Sequence, residues 1–108
     1  MVIEMKHNVI ERNNIPQHKL IKFCHRWSIV ELGLFGSSVR DDFSQESDFD
    51  VLVSFAPGSS WSVFDLVVMQ DELAKLLGRK VDLVEREALQ NPFRRREILR
   101  NLEIVYAA

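Results

Sequence analysis

The sequence predicts an α/β (α+β) fold, a small mixed β-sheet flanked by helices, and three observations lead there. Segments with helical apolar spacing alternate with short apolar runs of strand length. Glycine, proline and serine punctuate the chain between them. The longest periodic segment carries its own start and stop signals, Ser62 with Asp65 three residues on, and Gly78 after the last apolar position.

From Pro16 to Trp27, Leu20, Ile21, Cys24 and Trp27 recur at helical spacing, with Pro16 in the first turn, where a missing N–H is harmless. Ile29 to Phe35 reads as a buried strand that breaks at Gly36, and a short helix over about Ser38 to Phe43 is expected to follow. Phe49 to Phe55 is a second strand. Ser62 to Leu77 is the strongest helix, and Val63, Leu66, Val67, Met69, Leu73, Ala74, Leu76 and Leu77 fall on one broad arc that predicts its core face. Phe64 and Val68 project into the opposite arc, as partner contacts or beneath a second layer. Val81 to Val84 makes a third strand, Ala88 to Asn101 a final helix with Pro92 near its start, and Glu103 to Tyr106 an edge strand.

A chain of 108 residues supports one core, so a single domain over 1–108 is expected, its centre at about 17–106. Apolar residues make up 46% and charged residues 28%, the balance of an ordinary globular protein. Glu4 and Lys6 interrupt the N-terminus before a signal-peptide core can form, and no run approaches the roughly 20 apolar residues of a membrane span. A cytoplasmic location is the expectation. The single cysteine, Cys24, excludes an intramolecular disulfide and suits a helix core. A net charge of −2 argues against direct nucleic-acid binding, which a basic stripe would favour. Arg94, Arg95, Arg96 and Arg100 form a local positive patch, either solvated or facing an acidic partner or phosphate. His18 and His25 lie on the polar face of the first helix with no carboxylate at ligand spacing, and read as solvated.

The informative stretch is Gly36-Ser37, ten intervening residues, then Asp48-Phe49-Asp50 leading into Val51-Leu52-Val53. Side chains alternate along a strand, so Asp48 and Asp50 share a face, and two carboxylates so close repel unless a cation neutralises them. Hard oxygen ligands with room for water and phosphate describe magnesium better than zinc. Gly36 allows close backbone approach, and Ser37 and Ser38 sit where a strand feeds a helix, so that N–H groups and hydroxyls can meet a phosphate. Asp82, between Val81 and Leu83, points away from its apolar neighbours and completes a triad if its strand adjoins the second. Three carboxylates can hold two metals, one on the nucleotide phosphates and one lowering the pKa of the attacking hydroxyl, the role given to Asp82. Such a site suits phosphoryl transfer, which rests on positioning and charge neutralisation.

Gly36-Ser37-Ser38-Val39-Arg40, Ser47-Asp48-Phe49-Asp50-Val51-Leu52-Val53 and Lys80-Val81-Asp82-Leu83-Val84 resemble the DNA polymerase β-like nucleotidyltransferase superfamily, and within it the minimal nucleotidyltransferases encoded beside HEPN-domain proteins. The resemblance implies the nucleotidyltransferase fold. It also implies an antitoxin that uses ATP and magnesium to place AMP on a tyrosine of a cognate HEPN ribonuclease toxin, in a hetero-oligomer with it. Asp41 and Asp42 follow Arg40 where family members often have glycine, adding negative charge beside the phosphate cradle. Arg40 could hold a terminal phosphate or pair with Asp42 or Glu46. Gly-Ser and Asp-x-Asp at one spacing arise by chance at about 10⁻⁵ per start, or about 10⁻³ per chain, from ordinary residue usage. Two other functions compete: a non-catalytic antitoxin that neutralises its partner by docking, and one subunit of a two-chain enzyme acting on a small molecule or an RNA end.

Overall fold

The structure is a computed structural model that describes residues 15–36 and 48–108. Within them, α1 (Gln17–Arg26) leads through a tight turn into β1 (Ile29–Phe35), and β2 (Phe49–Phe55) is followed by α2 (Val63–Leu77) and β3 (Val81–Glu85). A 3₁₀ turn (Arg86–Ala88), α3 (Pro92–Arg100) and β4 (Glu103–Ala107) complete the order. The expected helix over Ser38 to Phe43 lies outside the described residues, as do Ser37 and Arg40.

The four strands form a mixed sheet in the order β3-β2-β1-β4, with β1 antiparallel to β2 and β4, and β2 parallel to β3. Two parallel neighbours need a crossover, and α2 supplies it. The helix begins on the signal its sequence carries: the Ser62 hydroxyl accepts from the Asp65 N–H at 3.1 Å, and the Asp65 carboxylate accepts from the Ser62 N–H at 2.9 Å. It ends at Gly78, whose φ of 71° is the left-handed conformation that lets its N–H reach the Ala74 carbonyl.

The sheet has two apolar faces. On one, Leu34, Phe49, Val51, Val53, Val81 and Val105 pack against Leu20, Phe23 and Cys24 of α1 and Met69 and Leu73 of α2. The two helices are tied by Glu72, which accepts from Trp27 Nε1 at 3.1 Å and pairs with Arg26. On the other face Phe35 and Leu52 meet Leu89 and Ile98, with Val84, Leu99 and Leu102 partly buried around them. This second face is covered by α3 and holds the site.

Two expectations change. The final helix starts at Pro92, not Ala88, because the proline ring drives Asn91 into extended backbone (φ −71°, ψ 116°). From there the Asn91 side chain accepts from the N–H groups of Phe93 and Arg94 and caps the helix. Val63 and Val67, placed on the core arc of α2, are instead 78% and 60% exposed. They overhang β3, the edge strand of the sheet among the described residues, together with Gln70, whose side-chain oxygen accepts the Leu83 N–H at 3.0 Å. Phe64 and Val68 are also exposed, and among the described residues no second layer covers them.

Candidate functional site

The register carries the site. Phe35 pairs with Asp50 across β1 and β2, and Asp50 pairs with Asp82 across β2 and β3. The next row is Gly33, Leu52 and Val84. Paired residues project to the same side of a sheet, so Phe35, Asp50 and Asp82 form a line on the α3 face, one pleat beyond the apolar row that α3 covers. Asp48, two residues before Asp50, precedes the strand on the same side. The sequence left open whether the third strand adjoins the second; the parallel pairing of β2 with β3 places Asp82 beside Asp50, roughly one strand spacing of ~4.8 Å away.

The apolar neighbours hold these carboxylates in place. Phe49 and Val81 are buried on the opposite face and fix the pleat on either side of Asp50 and Asp82. The Phe49 N–H donates to the Lys80 carbonyl at 2.9 Å, and the Arg79 guanidinium lies 5.2 Å from the centre of the Phe49 ring. The turn from α2 into β3 thus brings two cationic residues to the end of the sheet that carries the acidic ones. Asp48 and Asp82 are exposed and Asp50 is half-buried.

Gly36 ends β1 with φ +60°, the left-handed region that favours glycine. A Cβ there would lie 2.5 Å from Asp50 Oδ2. The sequence assigned this glycine close approach to a ligand; among the described residues, the group that a Cβ there would meet is the Asp50 carboxylate. Gly36, Asp50 and Asp82 are brought together; Ser37 and Ser38 lie outside the described residues.

The donor chemistry of the row suits a hard divalent cation, and the space kept clear at Gly36 preserves the position of Asp50. Among the described residues, however, no three acidic, histidine or cysteine side chains are gathered closely enough to hold a metal ion as they stand. Backbone register aligns the carboxylates; side-chain rotation about exposed χ angles would have to close them. His18 and His25 are exposed on α1, as expected, and contribute nothing here.

A second feature adjoins the row. A cavity of about 320 Å³ is lined by Phe35, Gly36, Arg94, Glu97, Ile98 and Asn101. The four α3 and C-cap positions are spaced i, i+3, i+4 and i+7, one face of a helix. Sequence reading noticed only the arginines; the spacing of Arg94, Glu97, Ile98 and Asn101 was the signal that would have found the face. Among the described residues no helix is long and apolar enough to cross a membrane.

With this geometry in view, comparisons with known proteins agree on the family. The nucleotidyltransferase domain family matches residues 18–105. The chain is similar to the protein adenylyltransferase MntA of Thermococcus cleftensis, 37% identical over 81 residues that cover 75% of this chain and 77% of that one. Among solved structures it resembles a protein described provisionally as a minimal nucleotidyltransferase, with 30% identity, a TM-score of 0.68, and coverage of 87% of this chain and 93% of that one. It shares its fold with a chain from the complex of the tri-AMPylated Shewanella oneidensis HEPN toxin with its MNT antitoxin, at 19% identity and a TM-score of 0.64, covering 89% of this chain and 73% of that one.

Proposed function

The chain belongs to the nucleotidyltransferase domain family, and from that premise we propose that it transfers AMP from ATP to a tyrosine hydroxyl of a HEPN-domain toxin, silencing it as its antitoxin. The observation that carries this reading is the alignment of Asp50 with Asp82 across parallel strands, beside a glycine that cannot be enlarged without displacing Asp50. The protein acceptor is supported by the relative named as a protein adenylyltransferase and by the AMPylated toxin in the complex that shares this fold.

Asp48, Asp50 and Asp82 are the residues that would hold magnesium, two ions in the fullest case. When bound, magnesium would neutralise the carboxylates and the triphosphate and lower the pKa of the attacking hydroxyl. The remaining steps fall to the chain. Gly36, Ser37 and Ser38 seat the phosphates at the end of β1. The tyrosine oxygen attacks the α-phosphorus in line, the bond from that phosphorus to the oxygen bridging the β-phosphate breaks, and pyrophosphate leaves. The phenolic proton passes to Asp82. One new phosphodiester forms as one phosphoanhydride is lost, and catalysis comes from alignment and charge.

The acceptor brings its own surface, so a hetero-oligomer with the toxin is the working assembly. The net charge of −2 favours this protein acceptor over bare nucleic acid.

The test is the intact mass of a HEPN-domain protein encoded beside this chain, after incubation with the chain and Mg–ATP, with Asp48→Asn as control. A gain of one or more AMP units that disappears in the control is the expected result. A stable complex with no gain would replace transfer with neutralisation by docking.

A further inference from the structure

We infer that the cavity between Gly36 and α3 is the adenosine pocket of this site, with Glu97 and Asn101 reading the base. The inference rests on the AMP-transfer reading and goes beyond it by assigning residues that lie outside the Gly-Ser and Asp-x-Asp signature.

Position is the first argument. Gly36 and Phe35 are shared by the cavity and the acidic row: Phe35 is the register partner of Asp50, and a Cβ on Gly36 would meet its carboxylate. A nucleotide with its phosphates at the end of β1 has its base within reach of this cavity, on the same face of the sheet. At about 320 Å³ the cavity falls at the lower end of small-molecule sites, about 300–1,000 Å³.

Its walls supply the second argument. The Phe35 ring and Ile98 are apolar and belong to the second core, which suits a flat aromatic ring. Glu97 and Asn101 are exposed at the rim, one turn apart, and add an acceptor and an amide. Adenine offers a 6-amino donor where guanine offers a 6-keto acceptor. The Glu97 carboxylate accepts from the adenine 6-amino group, and guanine brings N1–H and 2-amino donors of its own, so the contact suits a purine without separating ATP from GTP. Arg94, also on the rim, makes no ion pair among the described residues. It places a positive charge where a polyanion must pass to reach three carboxylates.

The experiment is titration calorimetry of the full chain with Mg–ATP, Mg–GTP and magnesium tripolyphosphate, on wild type, Asn101→Trp and Glu97→Gln, each checked by thermal melting. Asn101 is exposed at the α3 C-cap with φ −112°, so a bulky residue there fills the cavity without backbone strain. Asn101→Trp is expected to weaken both nucleotides at least tenfold while leaving tripolyphosphate unchanged, and Glu97→Gln to weaken ATP severalfold. Unchanged ATP affinity in Asn101→Trp, or equal loss of ATP and tripolyphosphate, would each overturn the assignment. These are binding results: a chain that shows the expected pattern yet modifies no HEPN protein would sink the transfer reading and leave the pocket standing.

Discussion

The Asp50 carboxylate fills the space that a Cβ on Gly36 would need, with Oδ2 only 2.5 Å from that position. One residue's missing side chain therefore sets where another's charge can sit. The contact also links the two halves of the signature, the glycine that ends β1 and the acid that opens β2, although Gly36 and Asp50 are fourteen positions apart.

Gly36→Ala tests that link. Alanine at φ +60° costs about 1–2 kcal/mol, and its Cβ pushes Asp50 aside. Displacement of a catalytic group by ~1 Å can cost about 100-fold. The expected outcome is a loss of AMP transfer of that order in a protein that melts a few degrees lower; full activity would show that Asp50 does not act from this position.

Asp50→Asn and Asp82→Asn remove charge without removing volume. Neither residue is in the core, so each variant is expected to fold with a melting temperature within a few degrees of wild type. Transfer is expected to fall by about 10²–10³ or more, since the site works through charge. A single-turnover assay checks both. Equal retention of transfer in both variants would remove the carboxylate row from the mechanism.

The two sides of α2 are predicted to behave oppositely. Met69 is fully buried, and Met69→Ala should cost about 2–5 kcal/mol in urea unfolding. Phe64 is 76% exposed, and Phe64→Ser should stay within about 0.5 kcal/mol of wild type. A large loss for Phe64→Ser would mean that this side chain is covered in solution.

Alkaline pH should weaken the fold. Burial pushes the Cys24 thiol from its ordinary 9.0 up to about 12, and raises Tyr106, by burial first and then by the neighbouring Cys24. A raised acid favours its neutral form in the folded state, so this stability is complete below about pH 9. It is lost as pH climbs towards 12, when the unfolded chain ionises first. Urea midpoints measured from pH 8 to 11 should fall, and fall less steeply in Tyr106→Phe. That variant also removes a buried hydroxyl that has no hydrogen-bond partner among the described residues, so it should be neutral or stabilising at pH 7. At pH 8 Cys24 should react with thiol reagents about a thousandfold more slowly than an unfolded thiol, reflecting its smaller thiolate fraction.

Local chemistry was legible in the sequence. Ser62 with Asp65 and Gly78 marked the ends of α2, because capping and left-handed backbone depend on residues within one turn. Both central strands were found to the residue, since short apolar runs between turn residues have few alternatives. The start of α3 was set four residues early, at Ala88, because Pro92 was read as lying in the first turn or so when its effect on Asn91 makes it the beginning. The expectation that Asp48 and Asp50 share a face needed only strand alternation.

Whatever depended on neighbours distant in sequence was decided by tertiary structure. Asp82 joins the row only because β3 runs parallel to β2 in a register that sets it opposite Asp50, a pairing that no local pattern specifies. Val63 and Val67 lie on the apolar arc of α2 but are exposed, because among the described residues β3 is the edge of the sheet and no element beyond it covers them. The cavity needs the C-terminal helix laid against the end of β1, some sixty residues earlier. Residue type and spacing determined which groups could do chemistry; the order and register of four strands decided which of them stand together, because hydrogen-bonded pairing acts between segments and not along them.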